Sequence, residues 1–161
     1  MRISSQGLMA LAVIAAAAVP ASAADVSVKR GEQVSITAGC HDCHTAGYGE
    51  SGGKIDPAAA LKGTQLGWQG PWGTTYPSNL RLIAKEKGSE DAFLQYAKTF
   101  HAKPPMPFYN VHAMDENDIR ALYQYIVSLG DTGEAAPQAL PPGEEPKTPY
   151  IVIAPPIMPK G

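Results

Sequence analysis

The spacing of apolar positions predicts four helices and one long stretch with no period at all. From about Val28 to Ala38 the apolar residues are few, Val28, Val34 and Ile36, with Gly31 and Ala38 beside them. Asp25 or Ser27 can cap this helix and Gly39 ends it, and its small residues leave one face that another helix can approach closely. Leu80 to Lys87 makes a second, short helix. Gly88-Ser89 then resets the chain, and Ser89 caps a third helix through about Phe100, with Glu90 and Asp91 in its first turn. Phe93, Leu94, Ala97 and Phe100 recur at three- and four-residue spacing, which places them on one buried face. The best-signalled helix runs from Ile119 to Leu129. Ile119, Leu122, Ile126 and Leu129 form its stripe, flanked by Tyr125, and Gly130 closes it. Asp115, with Asp118 three residues on, resembles a capping box at its start.

From Thr45 to Pro77 glycines break any helical or strand period. A solvent-exposed linker would not need Leu66, Trp68, Trp72 and Tyr76, so this stretch is expected to be a loop folded over a ligand. Lys103-Pro104-Pro105-Met106-Pro107 cannot be helical. After Gly130 the composition changes: eight of the last 31 residues are proline, and only Tyr150 to Ile153 looks able to bury anything. Two readings of residues 131–161 stay open, a disordered tail or a strap lying across the domain with Tyr150 to Ile153 docked in a groove.

The first residues read as an export address. Met1-Arg2 supplies a minimal positive start, Leu8 to Val19 is apolar, and Ala21-Ser22-Ala23 suits cleavage before Ala24. The alternative, an uncleaved anchor, is disfavoured because the apolar run is too short to span a bilayer. The organisation expected is therefore a signal segment over 1–23, one domain over 24–130 and a Pro-rich tail. Net charge is −2 for the whole chain, and no Lys/Arg cluster points to nucleic acid. With sixteen glycines, fifteen prolines and 7% aromatic residues, side chains alone would struggle to fill a core, and a buried cofactor would supply the missing apolar bulk.

One pentapeptide supplies that cofactor. Cys40-His41-Asp42-Cys43-His44 is a CxxCH: two thiols on one turn can add across the two vinyl groups of a haem, and the adjacent imidazole then meets the iron. A zinc site would want four ligands in two separated pairs, but these are the chain's only two cysteines. A redox dithiol would leave His44 unexplained and lacks its usual βαβ frame. For the opposite face of the iron Met106 is favoured, because a thioether between prolines on a rigid segment is held with little searching. Met114, read as a packing residue, and His101 or His112 remain as competitors.

With these residues in hand the chain resembles a class I c-type cytochrome with one haem. The resemblance rests on Arg30-Gly31-Glu32, Cys40 to His44, Met106-Pro107-Phe108-Tyr109, and Met114 to Leu129. Gly70-Pro71-Trp72-Gly73-Thr74-Thr75-Tyr76-Pro77-Ser78-Asn79-Leu80 is similar to a stretch in cytochromes associated with bacterial alcohol, aldehyde and sugar-acid dehydrogenases. The resemblance implies an all-α cytochrome c fold of small helices around one haem c, attached through Cys40 and Cys43 and ligated by His44 and Met106. It implies that Gly31 packs against the last helix near Leu122 and Tyr125, and that Trp72, Tyr76, Asn79 and Arg81 lie near the haem edge or propionates. Two departures stand out. The usual short Gly-Pro pair soon after CxxCH is not obvious, so the acceptor for the His44 Nδ1 proton is open between the Ile55 to Pro57 region and elsewhere, and the tail lies outside the common pattern.

The function implied is that of a periplasmic electron carrier rather than an enzyme. It would move single electrons from a periplasmic dehydrogenase toward a terminal oxidase or another cytochrome. The alternatives are a haem enzyme or ligand-binding protein with an open distal side, where His101 or His112 acts on the ligand, and a fixed cytochrome subunit of a dehydrogenase complex.

Overall fold

A computed structural model describes residues 25–159, and the expected signal segment lies outside the described residues. In chain order the elements are α1 (Val28–Thr37), α2 (Cys40–His44), β1 (Gly67–Gly70), β2 (Gly73–Thr75), α3 (Leu80–Lys87), α4 (Glu90–Thr99), α5 (Phe108–Ala113), α6 (Glu116–Ser128) and β3 (Tyr150–Val152). Of the two candidate caps for α1, Ser27 is the one used: its Oγ accepts from the Arg30 backbone N–H at 3.2 Å. The α1 helix crosses α6 at Gly31, where a Cβ would overlap the Ala121 carbonyl and come within 2.7 Å of the Tyr125 Cβ. Only hydrogen on that Cα lets the two backbones meet so closely. The stripes of α4 and α6 close the core from the other side, with Ile119 and Ile126 almost wholly out of solvent.

Asp115 opens α6 by accepting from Asn117 N–H, but Asp118 does not complete a capping box. Its carboxylate instead takes the Arg30 guanidinium in a fork, at 2.7 and 2.9 Å. The box calls for a Glu or Gln at that position, and the shorter Asp is better placed to reach across to α1. The same pair therefore ties the first helix to the last.

The expectation of an all-α domain needs correction. Part of the glycine-rich stretch forms a hairpin, with Trp68 opposite Thr75 and Gly70 opposite Gly73, and β3 from the tail adds to it in parallel, giving the order β2-β1-β3. Runs of three or four residues, GTT and GWQG, are too short to carry an alternation, so their strand character comes from the partner backbone rather than from their own pattern. Helix α5, six residues after Pro107, also has too few positions to show a period.

The tail is laid over the domain. Leu140 exchanges both backbone hydrogen bonds with Thr74 (3.0 and 2.9 Å), Gly67 N–H donates to Pro149 O, and Ile153 N–H donates to Gln69 O. Gly73, at φ +98°, lets the chain pass so close to Leu140 and Pro141 that any side chain would overlap them. Beyond β3 the chain is open to solvent, Ile157 and Met158 included.

Candidate functional site

Helix α2 is a single turn entered through Gly39 in the left-handed conformation. It places Cys40, Cys43 and His44 on one short rigid element. Both cysteines are free and half-buried. Burial pushes the Cys40 thiol up to about 11 and raises that of Cys43 as well, so both are neutral S–H groups at neutral pH. Neutral thiols are what addition across a vinyl group consumes: the sulfur bonds one vinyl carbon and the hydrogen ends on the other.

His44 is buried, and its Nδ1 donates to the backbone carbonyl of Ser78 at 2.7 Å. A carbonyl can only accept, so the proton sits on Nδ1 and the Nε2 lone pair is left to bind. Burial lowers the imidazole's pKa, which favours its neutral form. Ser78 is the acceptor that the sequence left open. It lies outside the Ile55 to Pro57 region and works through its main chain, so its side chain gave no signal; its one mark is its place immediately before the cap of α3.

His41, inside the same pentapeptide, does different work. It is fully buried, with Nε2 3.0 Å from Ser35 Oγ and Nδ1 2.7 Å from Thr45 Oγ1. Ser35 gives its own proton to Glu32 O, so it accepts from His41 Nε2–H, and Thr45 then donates to Nδ1 while receiving Leu61 N–H. That order of donors assigns one tautomer and fastens α2 to α1 and to the following loop. Burial lowers the pKa of this imidazole too.

The remaining predicted residues fall into two groups. Asn79 and Arg81 stand at the start of α3, both buried. Asn79 Oδ1 accepts from Arg81 and Leu82 N–H, while Nδ2 donates to Thr132 O and Glu134 O, so all its hydrogen-bonding capacity is used within the chain. Arg81 donates to the carbonyls of Pro57, Ala60, Leu129 and Asp131, joining the loop after α2 to the end of α6 and the root of the tail. Trp72 and Tyr76 belong to the hairpin and the strip after it. The Tyr76 hydroxyl pairs with Thr148 Oγ1 at 2.8 Å, whereas Trp72 Nε1 and Thr74 Oγ1 are buried polar atoms with no partner among the described residues.

Met106 lies half-buried just before α5. Its segment is tied to the hairpin: Thr75 Oγ1 donates to Pro104 O at 2.7 Å and Lys103 Nζ to Trp72 O at 3.4 Å. Four residues, Thr75 to Ser78, thus connect the methionine segment to the carbonyl that holds His44. Among the competing ligands, His112 directs Nε2 to Phe100 O and packs with Phe100 and Phe108, and Met114 packs against the core. His101 is exposed, 5.1 Å from the Phe108 ring.

A neutral buried imidazole with a free Nε2, two thiols one turn away and an unpartnered indole N–H all suit a covalently held haem with anionic side groups. No group of three or more His, Cys, Asp or Glu able to hold a metal ion occurs among the described residues. A model of the cytochrome c family matches residues 28–130. The chain belongs to the cytochrome c family. The cytochrome accordingly carries one haem c, bound covalently through the single CxxCH at Cys40 and Cys43. No curated protein and no solved structure matches the chain. The family match ends at Gly130, so the tail that supplies β3 lies beyond it.

Proposed function

We propose that this cytochrome is an exported, periplasmic electron carrier whose haem iron is held by His44 on one side and Met106 on the other. When bound, the haem supplies an iron that gains and loses one electron. The chain fixes His44 through Ser78 O, holds the Met106 segment against the hairpin, and offers Trp72 Nε1 as a donor for a propionate. The observation that carries the reading is the His44 Nδ1 to Ser78 O bond, which orients the imidazole and frees Nε2. Support for a closed, six-coordinate site is the bonding of Thr75 to Pro104, which anchors the methionine segment to the same strip of chain. A neutral thioether favours the ferrous state and raises the potential, as suits a carrier taking electrons from a dehydrogenase and passing them to an oxidase or another cytochrome.

The test is the absorption spectrum of the ferric protein produced with haem-attachment machinery, alone and as Met106→Ala. The weak far-red band of an iron to methionine-sulfur bond is expected in the wild type and should be lost in the variant. Absence of the band from the wild type, with ready uptake of carbon monoxide by the ferrous form, would instead favour an open-site haem protein.

A further inference from the structure

The root of the tail meets the chain beside His44 at Asn79. The peptide that carries the Ser78 carbonyl, the acceptor for His44 Nδ1, ends in the nitrogen of Asn79. Asn79 is gripped from both directions. Its Oδ1 caps α3 by accepting from Arg81 and Leu82 N–H at 3.0 and 3.1 Å, and its Nδ2 donates to Thr132 O at 2.6 Å and Glu134 O at 2.8 Å. Between those two acceptors sits Gly133, whose φ of +63° lets the tail turn so that both carbonyls meet one amide. Gly63, whose own N–H donates to His44 O at 2.8 Å, presses on the same peptide: a Cβ there would overlap Pro77 O and lie 2.9 Å from Ser78 C.

We propose that Asn79 is a positioning residue through which the root of the tail, Thr132 to Glu134, holds the Ser78 carbonyl on His44 Nδ1 and so sets the reduction potential of the haem. The physical chain is short. A firm acceptor on Nδ1 gives the imidazole more negative character, which stabilises ferric iron, whereas a loosened acceptor favours ferrous. The strand β3 further along the tail holds the hairpin and takes no part in this device. The inference rests on His44 as an axial ligand but not on the identity of the second ligand.

The experiment compares four full-length or trimmed holoproteins: wild type, Asn79→Ser, Gly133→Val and a chain ending at Ala135. Serine retains a capping oxygen for α3 and removes both donors to the tail. Valine strains the positive φ from the exposed tail side, which tests the same tie without altering a buried residue. Ending at Ala135 keeps Thr132 and Glu134 but deletes β3, together with the Leu140 and Thr148 contacts to the hairpin and Tyr76. At a fixed ambient potential the ferrous to ferric ratio should rise several-fold in Asn79→Ser and less in Gly133→Val, and stay at the wild-type value in the trimmed chain. In the ferrous protein the His44 Nδ1 proton, followed by nuclear magnetic resonance, should exchange about tenfold faster in Asn79→Ser. An unchanged ratio and exchange rate in Asn79→Ser and Gly133→Val would overturn the proposal, as would an equal shift in the trimmed chain. The far-red band is recorded throughout: its absence from the wild type counts against Met106 ligation, and the His44 readouts still decide this inference.

Discussion

The two ends of the family-like domain meet at α1 and α6, while the strip from Thr75 to Arg81 meets the tail on the other side, and the two junctions are built on opposite principles. Where α1 crosses α6 the two backbones meet closely, in a contact shaped by the absence of a side chain at Gly31 and flanked by the fork between Arg30 and Asp118. Where the strip meets the tail the contact is polar side chains reaching main-chain carbonyls, with Asn79 and Arg81 bonding residues from the loop, the end of α6 and the tail root. The first junction is specified by volume and the second by hydrogen-bond capacity. They should therefore fail in different ways.

The largest effect is expected from Gly31→Val. The added branch overlaps the Ala121 carbonyl, and neither helix can yield without losing the fork between Arg30 and Asp118. The cost should be on the order of 4 kcal/mol, a large fraction of the stability of a small domain. Chemical denaturation of the holoprotein followed by circular dichroism measures it, and a loss below about 1 kcal/mol would mean that the crossing is looser than described.

Arg81→Leu should come next. It keeps the bulk of a buried side chain but leaves the carbonyls of Pro57, Ala60, Leu129 and Asp131 without their donor, at about 3 kcal/mol. Because the loss falls on the tail root, limited proteolysis should cut residues 131–149 well before the helices are released. If the helices and the tail became sensitive together, the two junctions would be one cooperative unit.

The smallest effect is a dependence on pH that belongs to the helical side. His41 has a folded pKa below its unfolded value, chiefly because it is buried. The unfolded chain then binds more protons as the solution is acidified, so the stability tied to neutral His41 is complete above about pH 6.5 and declines as pH falls from there toward the folded pKa. Replacing His41 by Gln should flatten that slope between pH 7 and pH 5 in denaturant titrations of the holoprotein. An unchanged slope would remove His41 as its source.

The helical side was open to reading because its determinants are periodic or punctuated. The stripe from Ile119 to Leu129 and the caps at Ser89 and Asp115 are set within a few residues of their place in the chain, whereas the small residue at 31 shows its purpose only against Ala121 and Tyr125 of α6. The other side was hidden because its partners are far apart in sequence and carry no side-chain mark. Asn79 looked like a residue for a haem edge, and its amide goes to Thr132 and Glu134, more than fifty residues away. Leu61 gave no hint that it would be buried at φ +58° with its N–H on Thr45 and its carbonyl receiving Leu80 N–H.

By itself the sequence determined the cofactor chemistry, the helices α1, α3, α4 and α6 and the family resemblance, since CxxCH and apolar spacing are local codes that any neighbour-by-neighbour reading can use. Only the tertiary structure decided what holds His44, where the tail lies and that a small sheet exists. Those features depend on main-chain carbonyls and N–H groups, which every residue but proline possesses alike, and their pairing is fixed chiefly by where the packed helices bring the chain.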